Sequence, residues 1–312
     1  MSIHAVRDRG AAVSGRRPRL APLAGLLSAG TLLGLSTNLV KHAADQGLDP
    51  LILLTWSVAG AGLAVSIVNA VAGRAPRPGR RNTAYFAIAA LLGVVTPNLL
   101  LYAAVPRVGA GFATLAIAFP PLLTYLGALA LRMESFDARR AAGVGVALAG
   151  AIYLAYRKVA APEAPIAWIA AVMVVPAILA AGNLYRTARW PADARPEDLA
   201  PGVLLVAGAT LFAIATVTGV PLAAPLRGEA PILPIVLQIG LLSAQTLIFF
   251  NLQKNGGPVL TSLLGSVAAV VGVPAAVLLL NEPPPAGLAI GGISIAAGIA
   301  LLVSSSGSRA PS

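Results

Sequence analysis

Residues 109–134 read GAGFATLAIAFPPLLTYLGALALRME, and residues 257–282 read GPVLTSLLGSVAAVVGVPAAVLLLNE. Each begins on glycine, stays apolar for most of its length and ends on glutamate. An offset of 148 carries the match without a gap from 109–154 onto 257–302 and gives eleven identities, among them Gly109/Gly257, Ala128/Ala276, Gly143/Gly291 and Gly150/Gly298. Chance supplies some matches in a chain rich in Ala, Gly and Leu. Glu134/Glu282 is more informative, because only 11 of the 312 residues are Asp or Glu. A repeat of this kind governs the reading of the whole chain, and each copy has the roughly 20 apolar residues that a helix needs to cross a bilayer.

Working outward, ten such runs occur, at 21–42, 51–72, 83–104, 109–131, 139–156, 165–186, 199–220, 231–252, 257–280 and 286–304. Composition agrees: 57% of residues are hydrophobic and 11% charged, against about 45–50% and about 25% in soluble domains. The fold class is an all-α membrane protein with ten transmembrane helices. The loops are too short for a soluble domain. Residues 1–20 are a basic cytoplasmic tail leading into a full-length first helix rather than a cleaved signal, and 305–312 form a second cytoplasmic tail. With the N-terminus inside, seventeen of the 22 Lys and Arg residues fall in cytoplasmic segments, Arg186, Arg189 and Arg195 among them, and five fall outside. This bias places both termini in the cytoplasm, with the protein in the cell membrane. The net charge of +11 is thus a matter of topology, and no nucleic-acid partner is expected. There is no cysteine, and the histidines are His4 and His42 alone, so no metal cage, cofactor or thiol chemistry is expected.

A second correspondence, at offset 145, pairs Asn38-Leu39-Val40-Lys41 with Asn183-Leu184-Tyr185-Arg186. The chain then divides into two five-helix repeats, 21–156 and 165–304. Five is odd, so equivalent helices cross the membrane in opposite directions. An inverted repeat places a binding site near the midplane between the halves and supports alternating access. Small residues at Gly143, Ala147 and Gly150, and at Gly287, Gly291, Ser294 and Gly298, are spaced as helix-packing seams. Pro97, Pro120-Pro121, Pro176 and Pro274 lie inside spans, where each removes a backbone hydrogen bond and kinks the helix; they are hinges or fixed kinks.

Polar side chains within the spans face a partner helix or an aqueous cavity. The substrate-binding candidates are Asn38, Trp56, Asn98, Tyr102, Asn183, Tyr185, Gln245 and Thr246, with Phe249 and Phe250 as further stacking surfaces. The competing role for each amide is an ordinary interhelical hydrogen bond. No acid lies centrally in a span. Glu134 and Glu282 sit at helix ends, where capping outweighs proton carriage, so facilitated or exchange transport is expected rather than proton coupling.

Gly34 followed by Lys41, the GAGFATL opening at 109–115, Leu126-Gly127-Ala128, Glu134, Ala142-Gly143 and Gly150, echoed by Glu282, Gly291 and Gly298, resemble the EamA-like branch of the drug/metabolite transporter superfamily over about residues 22–304. The resemblance implies a ten-helix carrier, often an exporter, of small metabolites such as amino acids or of drug-like compounds. Leu33 and Trp56-Ser57 stand where such proteins often carry Trp and Arg, which leaves no arginine in that place for a substrate carboxylate. The expected partners are a small-molecule substrate and the lipid bilayer, with the chain a monomer or homodimer. The competing functions are a membrane-embedded lipid-modifying enzyme, for which the chain offers only scattered single catalytic groups, and a non-transporting membrane assembly protein.

Overall fold

The computed structural model of the protein describes residues 20–74, 83–160, 164–192 and 194–304. The basic tail through Arg19, the Arg77, Arg80 and Arg81 cluster and the C-terminal tail from 305 lie outside the described residues. Among the described residues every regular element is helical. The elements are α1 (Leu20–Asp45), α2 (Pro50–Val71), α3 (Thr83–Ala90), a π turn (Leu91–Val95), α4 (Thr96–Val108), α5 (Ala110–Ala116), α6 (Pro120–Ala130), α7 (Ala138–Ala160), α8 (Ile166–Ala188), α9 (Pro196–Val217), a short 3-10 turn (Ala224–Arg227), α10 (Leu233–Ser262), α11 (Leu264–Leu279) and α12 (Leu288–Ser304).

Among the described residues, seven helical segments are long and apolar enough to cross a membrane: Leu23–Asp45, Pro50–Val71, Thr83–Val108, Ala110–Ala130, Ile166–Ala188, Pro196–Val217 and Leu233–Ser262. Of the rest, α7 carries Arg139, Arg140, Arg157 and Lys158 near its ends, and α11 and α12 are shorter apolar helices. Starts are specified locally. Asp49 caps α2, its Oδ1 accepting from the Leu51 N–H at 2.7 Å and the Ile52 N–H at 3.2 Å, with Pro50 in the first turn. At α9 the Asp198 carboxylate accepts from the Arg195 N–H at 3.1 Å and from its guanidinium, and Glu197 and Asp198 complement the helix dipole.

Several breaks differ from the uninterrupted spans that the sequence predicts. The run 83–108 has a π turn midway, the run from 109 is broken at 117–119 ahead of Pro120-Pro121, and α10 continues through 253–256, where a loop was expected, to bend at Gly257. Each break has a covalent cause. Pro97 cannot donate to the carbonyl four residues back, and the helix ahead of it slips a register: the Thr96 N–H bonds to the Leu91 carbonyl, five residues back. Gly109 at φ 89° and Gly257 at φ 71° take backbone conformations that a side chain disfavours. Pro176 and Pro274, by contrast, sit inside continuous helices.

Helices in lipid gain little from burying apolar surface against one another, so packing rests on close backbone approach. The predicted seams supply it. A Cβ on Gly150 would lie 2.7 Å from the Ser294 Cβ and 2.9 Å from the Gly291 carbonyl, and one on Gly298 would overlap the Gly143 carbonyl, so α7 and α12 meet at their backbones. Elsewhere α1 crosses α11 at Gly34, where a Cβ would stand 2.7 Å from the Ala268 carbonyl, and α2 meets α9 at Gly208. Further, α1 lies against α10 as well as α11, while α8 lies against α4 and α6.

Gly298→Ala is therefore expected to lower the thermal unfolding midpoint of the detergent-purified protein, at a cost of about 1–3 kcal/mol for overpacking. Gly240→Ala, where nothing lies within 4 Å of the added carbon, should leave the midpoint unchanged or raise it, since alanine is the better helix former by roughly 1 kcal/mol.

Candidate functional site

The π turn and the break before Pro120 border a cavity of about 150 Å³. Its wall includes Ser36 and Thr37 of α1, Gly93 of the π turn, Asn98 and Tyr102 of α4, Asn183 and Arg186 of α8, Gln245, Thr246, Phe249 and Phe250 of α10, and Gly265 of α11. Most of the remaining wall is aliphatic. A second depression, between α1 and α10, has only exposed asparagines, Asn251 and Asn255, for polar groups.

Five of the eight predicted site residues share this cavity: Asn98, Tyr102, Asn183, Gln245 and Thr246. Tyr102 is fixed by Gln238, whose amide nitrogen donates to the Tyr102 hydroxyl and, at 2.5 Å, to Ser36 Oγ. Asn98 donates its side-chain N–H to the Val94 carbonyl at 2.7 Å, inside the π turn. Asn183 is held from α10, where Gln253 donates to its backbone carbonyl at 3.2 Å and to Thr187 Oγ1 at 2.6 Å. The other three lie elsewhere. Asn38 bridges α1 and α11, donating to the Gly34 and Gly272 carbonyls at 2.9 Å each. Trp56 donates its indole N–H to the Leu222 carbonyl at 2.9 Å and meets Phe212 edge-on. Tyr185 stacks on Tyr85 with ring centroids 6.0 Å apart. None of the three lines the cavity.

Sequence reasoning missed Gln238 and misplaced Arg186. Gln238 is fully buried and stands seven residues before Gln245, two helical turns along the same face; that spacing was available as a signal. Arg186, counted with the cytoplasmic loop charges, is instead 3% exposed and lines the cavity. Nη2 donates to Asn183 Oδ1 at 2.6 Å, and Cζ lies 4.9 Å from the centroid of the Phe249 ring. Nη1 occupies space left by glycine, since a Cβ on Gly93 would overlap it. The π turn and α8 come close enough for this because Gly182 faces the Leu92 carbonyl, which would stand 3.0 Å from an added Cβ. Nε has no hydrogen-bond partner, and among the described residues no carboxylate pairs with Arg186. An arginine charge placed in a membrane interior costs at least about 2.5–3.5 kcal/mol on insertion scales. Asn183 and the Phe249 face offset part of that.

The repeat glutamates differ in their partners. Glu282, at the end of α11, accepts from the N–H groups of Ala110 and Gly111 at 2.8 and 3.0 Å, capping α5 across the bundle from beyond the bend at Gly109. Glu134 pairs instead with Arg140. Lys41, the counterpart of Arg186 at offset 145, pairs with Asp45.

Comparison with known proteins adds to this geometry. A solved crystal structure, described only as that of a protein, has the same fold with a TM-score of 0.64 at 20% identity, covering 93% of this chain and 98% of its own. No curated protein matches. The EamA-like transporter family matches residues 21–156, which hold Gly34, Lys41, Gly109–Leu115 and Glu134, the first-half positions that carried the resemblance in the sequence. The chain is thus a multi-pass membrane protein whose residues 21–156 are similar to the EamA-like transporter family.

Proposed function

We propose that the protein is a carrier that moves a small molecule out of the cell by alternating access, built from ten membrane crossings in two inverted repeats, 21–156 and 165–304, with both termini cytoplasmic. The observation that carries this reading is the match of irregular features at the sequence offset of 148. Gly109 and Gly257 both bend at positive φ. The Glu134 N–H bonds to the Ala128 carbonyl at 3.3 Å, and the Glu282 N–H bonds to the Ala276 carbonyl at 3.1 Å. The helix breaks meet each other: Ser266 Oγ donates to the Ala118 carbonyl at 3.5 Å, and Gly265 packs against the Ile117 carbonyl so closely that a Cβ would overlap it. Packing exchanges between halves in the same way, with α1 on α10 and α11 and α8 on α4 and α6. These features are what a pseudo-two-fold axis through the breaks requires.

With basic segments inside, Arg186, Asn183 and the turn after Gly257 lie toward the cytoplasm, and Gly109 and Glu282 lie toward the exterior. The cavity is then on the cytoplasmic side and the Glu282 cap closes the outer side. In the opposite state the cap releases, and Glu134 approaches the Gly257 bend. Among the described residues the cavity wall holds no acid, which favours facilitated or exchange transport over proton coupling.

Two experiments test this. In an export and resistance screen of cells expressing the protein, at least one metabolite or toxic analogue should change its intracellular level, and Asn98→Ala and Gln245→Ala should each weaken the effect; a screen in which no compound responds overturns the carrier reading. The chain has no cysteine, so Thr114→Cys, at a fully buried position beneath the Glu282 cap, is a clean reporter. Adding Glu282→Gln should speed its labelling by an impermeant maleimide applied outside by about fivefold, the effect of losing roughly 1 kcal/mol of capping. An unchanged rate removes Glu282 from the gate.

A further inference from the structure

Arg186 is a cation held ready for a charge that the protein does not supply. It is 3% exposed, its Nε lacks a partner and it lines the cavity. Among the described residues no carboxylate pairs with it. Its counterpart Lys41 has a carboxylate of its own in Asp45. The guanidinium is also oriented. Asn183 fixes Nη2 and the Phe249 face lies alongside, so the planar fork is preset for a flat, two-oxygen acceptor.

We propose that Arg186 is the anion-binding residue of the cavity and that its ligand is an organic monoanion, a carboxylate on an apolar or aromatic body. The proposal deepens the carrier reading and rests on it only for transport, not for binding. Among the described residues the wall contains no carboxylate to receive an ammonium group, so a zwitterionic amino acid would leave its own cation unpaired in an apolar site, and a cationic compound would meet Arg186 with like charge. The aliphatic wall and the rings of Phe249 and Phe250 suit a hydrocarbon body. At about 150 Å³, below the roughly 300–1,000 Å³ of drug-sized pockets, the cavity has room for a single ring rather than a drug-like scaffold. Asn98, Gln245 and Thr246 line the same cavity as neutral polar groups.

The test uses the purified full chain in lipid nanodiscs, with benzoate as the anion, phenylalanine as the zwitterion, benzylamine as the cation and benzamide as the neutral isostere. Benzoate should bind and raise the unfolding midpoint, and the other three should bind at least tenfold more weakly. Arg186→Gln should lower benzoate affinity at least tenfold. Arg186→Lys, which keeps the charge but loses the fork, should lower it by less. Gly93→Ala leaves the arginine in place but displaces Nη1, and should also weaken binding, which separates the geometry of the site from its mere charge. Comparable binding of benzylamine or phenylalanine, benzoate affinity unaltered in Arg186→Gln, or no benzoate binding each overturns the proposal. So does full competition by chloride at equal concentration, which would make the site one for a small inorganic anion. Benzoate binding without flux of labelled benzoate into proteoliposomes leaves the site standing and overturns the carrier reading.

Discussion

In a bilayer, every backbone N–H and C=O that a broken helix releases must find its partner within the protein or in a water-filled cavity, because lipid supplies none. Two such breaks, the π turn and the one before Pro120, border the cavity, and the bundle's architecture follows from how each break is satisfied. The bend at Gly109 exposes the N-terminus of α5, and the Glu282 carboxylate from the other end of the chain takes two of its N–H groups. The π turn ahead of Pro97 is closed by the Thr96 N–H on the Leu91 carbonyl and by the Asn98 amide on the Val94 carbonyl. Ser266 reaches the Ala118 carbonyl at the break before Pro120. The π turn is closed by its own neighbours, whereas the Glu282 and Ser266 contacts join one half of the chain to the other.

The same interdependence explains what the sequence made legible. Length and hydropathy locate helices because a membrane crossing is a one-dimensional requirement, and glycine spacing locates seams such as α7 on α12 because close approach needs a missing Cβ. Breaks were readable as prolines and glycines but not as shapes. Pro97 and Pro176 carry the same covalent defect, yet one produces a π turn and the other sits in a continuous helix, since the outcome depends on what the neighbouring helix supplies. Where no glycine seam marks a face, the rotation of a helix about its axis was not readable. Asn38 and Asn183 stand in matching motifs, but one is spent on the α1–α11 crossing and the other lines the cavity. Arg186 shows the limit most clearly. Three residues from Arg189 and at a helix end, it has the sequence context of a loop charge, and only the absence of side chains at Gly93 and Gly182 lets it turn inward.

Paired residues with unlike partners carry a further consequence. Glu282 caps α5 while Glu134 holds Arg140, and Arg186 faces the cavity without an acid while Lys41 has Asp45. The sequence accounts for this divergence, since Leu288 stands opposite Arg140 and Trp190 opposite Asp45. On the proposed inverted repeat one side is sealed and the other carries the cavity. Closing the second side around an empty cavity would strand the Arg186 guanidinium without water or counter-ion, and the cost of an unpaired charge in that setting opposes the step. An anion bound there removes the penalty, so on this reading the loaded protein crosses between states more readily than the empty one. A carrier under that constraint exchanges one anion for another faster than it moves anions one way, and it needs no titrating carboxylate to couple the two directions.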